Sequence, residues 1–268
     1  MYNPAAAGIA SKSVIGVSYR NQWSSFPGNP KTYMVYGDFA LNKLKAGIGT
    51  YLYRDESGPT NRTGLQVAYS YHVRTGTSSR LAMGIELRTL QFAIDKNKLN
   101  DALGNSDPVL GGSSNKIVFD AGTGIYWTNN NLSAGIAVNQ LLHSKLELAN
   151  VPNSNQNGQL YRHYSLIASY KIQAGDNMFV IPNLMAMVIE HSPSEFNFGV
   201  KMDYQDKLWW ALNWRVRQLF SIQAGFMLFK RIGINYSYDY YETPINLFSA
   251  GSSANEIGLQ FHLARSKA

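Results

Sequence analysis

The chain has 268 residues, 45% of them hydrophobic, 13% aromatic and only 15% charged, with a formal net charge of +7. It contains no cysteine, which excludes disulfides, thiolate chemistry and cysteine zinc sites. Its basic residues are scattered without a run of five, so no nucleic-acid partner is expected.

The start, MYNPAAAGIASKSVI, lacks the basic end and apolar core of a signal peptide, so no such segment lies in this numbering. Residues 1–12 are expected to form a periplasmic or lumenal lead-in to a single domain spanning 1–268. No stretch supplies the roughly 20 consecutive apolar residues of a transmembrane helix. A membrane protein with this sequence must therefore be a β-barrel, the other fold that satisfies its backbone in lipid.

From residue 13 onward, period-two alternation dominates, which is the signal of strands. Fourteen segments are predicted, over 13–23, 31–41, 43–55, 62–74, 79–95, 116–128, 131–143, 161–173, 178–190, 195–205, 208–217, 219–229, 231–241 and 254–264. In the fourth, Leu65, Val67, Tyr69, Tyr71 and Val73 oppose Gln66, Ala68, Ser70, His72 and Arg74. In the thirteenth, Ile232, Ile234, Tyr236, Tyr238 and Tyr240 oppose Gly233, Asn235, Ser237 and Asp239. The ninth segment is poorly phased and its faces are not assigned.

The connections alternate in length. Asn42, Gly76-Thr77, Asn129-Asn130, Gly175-Asp176, Asp206-Lys207 and Lys230 mark short links. The remaining links include every long one, among them Glu56 to Asn61, Lys96 to Asn115 and Ser144 to Leu160. Short turns at one rim and long loops at the other are the pattern of an outer-membrane barrel, with both termini at the short-turn, periplasmic rim.

Alternation alone does not separate this barrel from a soluble sandwich, in which the apolar face would point inward. Three features favour the barrel. Most segments reach ten or more residues, against about 5–6 in soluble sheets. Tyr51/Tyr53, Trp127, Trp209/Trp210 and Tyr240/Tyr241 crowd segment ends, where aromatic girdles would lie. The polar faces mix charge with Gly and Ser, which suits a crowded interior. The predicted fold is an all-β transmembrane antiparallel barrel of about 14 strands.

Chemistry is sparse. The five histidines show no metal-ligand spacing, and no cofactor is expected. A barrel hydrolase would need Ser, His and an orienting partner on neighbouring strands, and His262 with Ser237 or Glu256 is such a combination. The plainer reading is a set of lumen-lining polar groups. Charges facing lipid would cost a few kcal/mol, so Arg20, Asp38, Asp120, Arg215, Asp239 and Glu256 are expected to face the lumen and pair there. Met227 and Phe229 also phase inward, which points to a largely filled lumen.

An ordered set of pieces resembles a known family. NPAAAG (Asn3 to Gly8), YRNQW (Tyr19 to Trp23), GIGTYLYRDESGP (Gly47 to Pro59) and LAMGIE (Leu81 to Glu86) come first. DAGTGIYW (Asp120 to Trp127), IGINYSYDY (Ile232 to Tyr240) and NEIGLQFHL (Asn255 to Leu263) follow. Together they resemble the PorP/SprF family of type IX secretion and gliding-motility outer-membrane proteins of Bacteroidetes. The chain departs from the family pattern at Ala254-Asn255-Glu256-Ile257, where Ser-His-Glu-Ile is usual.

The resemblance implies a non-enzymatic barrel set among outer-membrane lipids. It implies as partners a secreted cargo or adhesin with a type B C-terminal domain, or periplasmic ring and peptidoglycan-binding proteins. Asn105 and Asp107 in one long loop, and Asn153, Asn155 and Asn157 in another, are then candidate cargo-binding residues, since adaptable polar loops carry recognition. A barrel transporting small solutes or hydrophobic molecules is the alternative.

Overall fold

The computed structural model describes residues 2–95, 97–98, 115–146, 158–242 and 253–263. The candidate loop residues Asn105, Asp107, Asn153, Asn155 and Asn157 lie outside the described residues. Seventeen strands occur among the described ones. They are β1 (Val14–Gln22), β2 (Lys31–Leu41), β3 (Ala46–Ser57), β4 (Thr60–Arg74), β5 (Arg80–Ile94) and β6 (Asn115–Thr128). Then come β7 (Leu132–Asn139), the short pair β8 (Lys145–Leu146) and β9 (Gly158–Gln159), β10 (His163–Tyr170) and β11 (Ile172–Gln173). The last six are β12 (Met178–Ile189), β13 (Glu195–Tyr204), β14 (Leu208–Arg215), β15 (Leu219–Leu228), β16 (Ile232–Tyr241) and β17 (Ser253–His262).

Each wall strand pairs antiparallel with its neighbours, β17 returns to β1, and β10 bridges β7 to β12. The sheet therefore closes on itself and leaves no free edge. β11 continues β10 across Lys171, and β8 and β9 pair outside the wall, so the barrel has 14 strands.

Alternation is inverted relative to a soluble protein. Leu87 is 70% exposed and Phe119 65%, whereas Glu86 and Asp120 are each 2% exposed. Neighbours along one strand thus point to opposite solvents, apolar outward and polar inward. The alternation of β16 follows suit, with Tyr236, Tyr238 and Tyr240 outside and Ser237 and Asp239 buried inside. Leu87 sits mid-strand in β5, at the centre of the band that faces hydrocarbon. Replacing Leu87 with Arg should cost about 2–4 kcal/mol in a bilayer-reconstituted unfolding titration. On a water-exposed surface the same change would stay within about 0.5 kcal/mol. A change that small would contradict the membrane assignment.

Several predicted details need correction. Glu56 and Asn61 are not in a loop: they are register partners, and the β3–β4 turn is only Gly58-Pro59. Their polar sequence belongs to strand ends that extend the hairpin past the apolar band. Phe229 does not point inward. It sits at a turn tip, 86% exposed, with φ +50. It and Lys230 are the central residues of a turn closed by Arg231 N–H donating to the Leu228 carbonyl, and Gln205-Asp206 does the same between Tyr204 and Lys207. Paired positive φ values are what type I′ hairpin turns require, and neither turn has the Asn-Gly that announces them. The girdle is also only half right. Trp127, Trp210 and Tyr240 lie on the outer face, but Tyr51, Tyr53, Trp209 and Tyr241 are on the lumenal one.

Candidate functional site

The lumen holds the chain's own N-terminal segment. Asn3 caps a 3-10 turn, Pro4–Ala6, by accepting from Ala5 N–H at 2.9 Å through its side chain. Pro4 at the first helical position costs no hydrogen bond there. Ala5 and Ala7 are fully buried against the wall made by β4 to β7.

The wall is built to receive this segment. Register aligns Ala40, Gly47, Ser70, Gly84, Gly124 and Ala137 in one row across six strands, a trough of small side chains. A Cβ at Gly84 would collide with the backbone of Pro4 and Ala5, one at Gly47 with the Ala7 carbonyl, and one at Gly124 with the Asn3 side chain. Glycine is needed at these places for close backbone approach.

Polar groups then satisfy the segment's backbone. Asp38 Oδ1 accepts from Gly8 N–H at 2.6 Å, and Ser70 Oγ donates to the Ala7 carbonyl at 2.6 Å. Asn139 Nδ2 and Ser165 Oγ donate to the Tyr2 carbonyl at 3.1 and 3.2 Å. Asn3 Nδ2 donates to the carbonyls of Ile125 and Ile136, at 3.0 and 3.1 Å. Asp38→Ala should cost about 1–3 kcal/mol, because a buried N–H loses its charged acceptor. Chemical unfolding in detergent measures it, and Asp38→Asn should recover part of the loss.

Above the trough, toward the long-loop rim, Tyr36, Tyr51, Gln66, Arg88 and Asp120 share the next polar row but one. Arg88 donates to Glu86 at 2.8 Å and to Gln66 at 3.1 Å, and Gln66 also donates to Glu86. Nearer that rim, Arg20 bridges Asp239 at 2.5 Å and Glu256 at 3.5 Å, and donates to Tyr241 Oη at 3.1 Å. Tyr241 packs edge-on against Trp23.

Of the six lumenal residues expected to pair, Arg20, Asp239 and Glu256 come together and the other three do not join them. Asp38 serves the N-terminal segment. Asp120 Oδ1 accepts from Leu142 N–H at 3.0 Å, which ties β6 to the chain leaving β7. Arg215 faces Asn197 and Leu219 across its neighbours and forms no ion pair among the described residues. Glu86, Ser70 and the glycine row were missed. Their faces were readable, but the register that aligns them was not.

The hydrolase combination does not assemble. Ser237 is the register partner of Glu256, whereas His262 lies six residues further along β17, roughly 20 Å away at strand rise. A different pair, Ser70 Oγ and His72 Nε2, stands at 2.8 Å. Both groups are buried against the Ala7 carbonyl, so they clamp the N-terminal segment and leave no room for a substrate.

The opposite wall is less polar. On β12, register puts Phe179, Ile181, Asn183, Met185 and Met187 on the lumenal side and Val180, Pro182, Leu184 and Ala186 outside. Both faces are therefore largely apolar, which explains why this segment had no legible phase.

The architecture is shared with solved outer-membrane proteins at very low identity. Acinetobacter baumannii Omp33 matches at 6% identity and TM-score 0.55, over 94% of this chain and 99% of that one. The P. putida toluene transporter TodX matches at 9% and 0.50, over 98% and 91%. The KdgM porin matches at 8% and 0.46, over 94% and 99%. The likenesses to Omp33 and TodX show the fold. No curated protein matches the chain. The model of the family described as type IX secretion system membrane protein PorP/SprF matches residues 1–261. With a closed 14-strand wall, an apolar exterior and a polar interior, this is an outer-membrane barrel. The chain belongs to the PorP/SprF family of type IX secretion system membrane proteins.

Proposed function

We propose that this barrel is a non-enzymatic part of type IX secretion that holds a secreted cargo or adhesin C-terminal domain at the cell surface through its long-loop rim. The observation that carries the reading is the family match over residues 1–261. The lumen is consistent with it: much of its wall serves the chain's own N-terminal segment and internal ion pairs, rather than lining a clear passage. A barrel used as a holdfast has no need of a free channel. Contact with periplasmic ring or peptidoglycan-binding proteins at the opposite rim belongs to the same reading.

The test is a detergent pull-down of tagged protein from its native membrane, with and without residues 96–115 and 144–160. A large surface protein should co-purify with the intact chain and be lost from the loop deletions. Cargo that stays attached to a folded double deletion would overturn the loop assignment.

One observation favours a second reading, transport of hydrophobic molecules. The lumenal side chains Phe179, Ile181, Met185 and Met187 are only half-buried, so an apolar solute would find a surface there. Uptake of an apolar solute by proteoliposomes, lost on Met185→Asp, would support transport over anchoring.

A further inference from the structure

The net charge of +7 is carried by one end of the barrel. Five of the six short turns bring one or two cations to the same rim, and only the Asn129-Asn130-Asn131 turn brings none. Lys43 and Lys45 flank the tip of the β2–β3 turn, and Arg74 and Arg80 stand at either foot of the β4–β5 turn. Lys171 closes β10, Lys207 lies in the β13–β14 turn, and Lys230 and Arg231 lie in the β15–β16 turn. Lys12 leads into β1 beside them, 3.8 Å from Asp206. Asp176 and Asp206 are the acidic residues among the described residues of these turns. Nine cations less two carboxylates leave +7 at this rim. At the opposite rim Arg54 pairs with Glu56 at 2.8 Å and Arg162 with Glu190 at 3.9 Å.

Two tips add a second feature. Leu44 stands between Lys43 and Lys45 and is 67% exposed, and Phe229 precedes Lys230 and Arg231. Outward-facing Trp127, Tyr204 and Trp210 ring the wall at the same level, where an aromatic belt meets headgroups. An apolar side chain flanked by two cations at that depth suits a phospholipid interface. The apolar group reaches the acyl boundary and the cations meet phosphates. An aqueous surface would satisfy the cations alone.

We propose that the short-turn rim is a binding surface for anionic phospholipid headgroups of the periplasmic leaflet, with Lys43, Lys45, Lys230 and Arg231 as its principal contacts and Leu44 and Phe229 as apolar anchors. This surface does not rest on the cargo reading, which concerns the other rim; a periplasmic protein seated on these same turns is the competing occupant, and the test separates the two.

The test uses the full chain in proteoliposomes with spin-labelled phosphatidylglycerol or phosphatidylcholine. Phosphatidylglycerol should be preferred by about threefold or more at low salt. Preference should fall to parity in 1 M salt, where screening reaches about 3 Å. It should also fall to parity in a variant carrying Lys43→Gln, Lys45→Gln, Lys230→Gln and Arg231→Gln. These side chains are exposed, so the variant should fold, and its heat-shifted gel mobility checks that it does. Arg54→Gln with Arg162→Gln, at the far rim, should leave the preference intact. Parity in the unaltered protein, or a preference the fourfold variant keeps, overturns the proposal. Unchanged lipid preference with loss of an acidic co-purifying protein would assign the rim to a protein partner and overturn it equally.

Discussion

Gly84→Leu should lift the N-terminal segment off the wall. The new side chain would enter the space held by the backbone of Pro4 and Ala5, and neither neighbour has a flexible end that can give way. Overpacking of a buried site costs about 1–3 kcal/mol, and loss of the bonds to Asp38, Ser70 and Asn139 pushes this toward about 3 kcal/mol or more. Because the native chain has no cysteine, a single reporter can read the displacement directly. Ala82→Cys lies one lumenal position from Gly84 and is fully buried, so it should resist a water-soluble maleimide. Adding Gly84→Leu should raise its labelling rate more than tenfold. Should Gly84→Leu fail to fold, Asn3→Ala removes three hydrogen bonds at a cost of about 1–3 kcal/mol and should raise labelling in the same direction. Unchanged labelling in both variants would mean that the segment does not shield this wall.

The strand count, the two rims and the inward polar faces were legible because a membrane barrel repeats one simple rule along each strand. Legibility failed where that rule has nothing to act on. β12 is apolar on both faces, so Phe179 and Val180 look alike in sequence although one faces the lumen and the other lipid. The tips at Gln205-Asp206 and Phe229-Lys230 adopt positive φ without Gly or Asn, because the twist of the flanking strands requires it, and strand ends shift accordingly. Glu56 and Asn61 look like loop residues because the hairpin continues beyond the apolar band, where polar side chains are at no disadvantage.

The candidate site was legible by face and not by partner. That Asp239 points inward follows from its strand. That Arg20, some 219 positions earlier, meets it depends on β1 closing against β17 and β17 against β16. The glycine row has the same origin, since Gly47, Gly84 and Gly124 come from three strands and align only through register. The basic rim is a third case: cations that look scattered along the chain fall at five of the six short turns, so the fold gathers them at one end.

Arg20 should be the most sensitive charge in the lumen. Removing it leaves Asp239, whose side chain is 8% exposed, without a cation, and also orphans Glu256. Breaking a buried pair from one side costs about 3–5 kcal/mol; the 22% exposure of Arg20 places the expected loss near 3 kcal/mol. Asp239→Ala should cost less, because Arg20 keeps Glu256 within 3.5 Å. The double variant Arg20→Ala with Asp239→Ala should be more stable than Arg20→Ala alone, since the orphaned carboxylate is gone. Urea unfolding in lipid vesicles, followed by folded-band mobility, gives all three values in one cycle. An Arg20→Ala loss under about 0.5 kcal/mol would mean that lumenal water solvates Asp239 as well as Arg20 does. The closed, ion-paired interior at this level would then have to be given up.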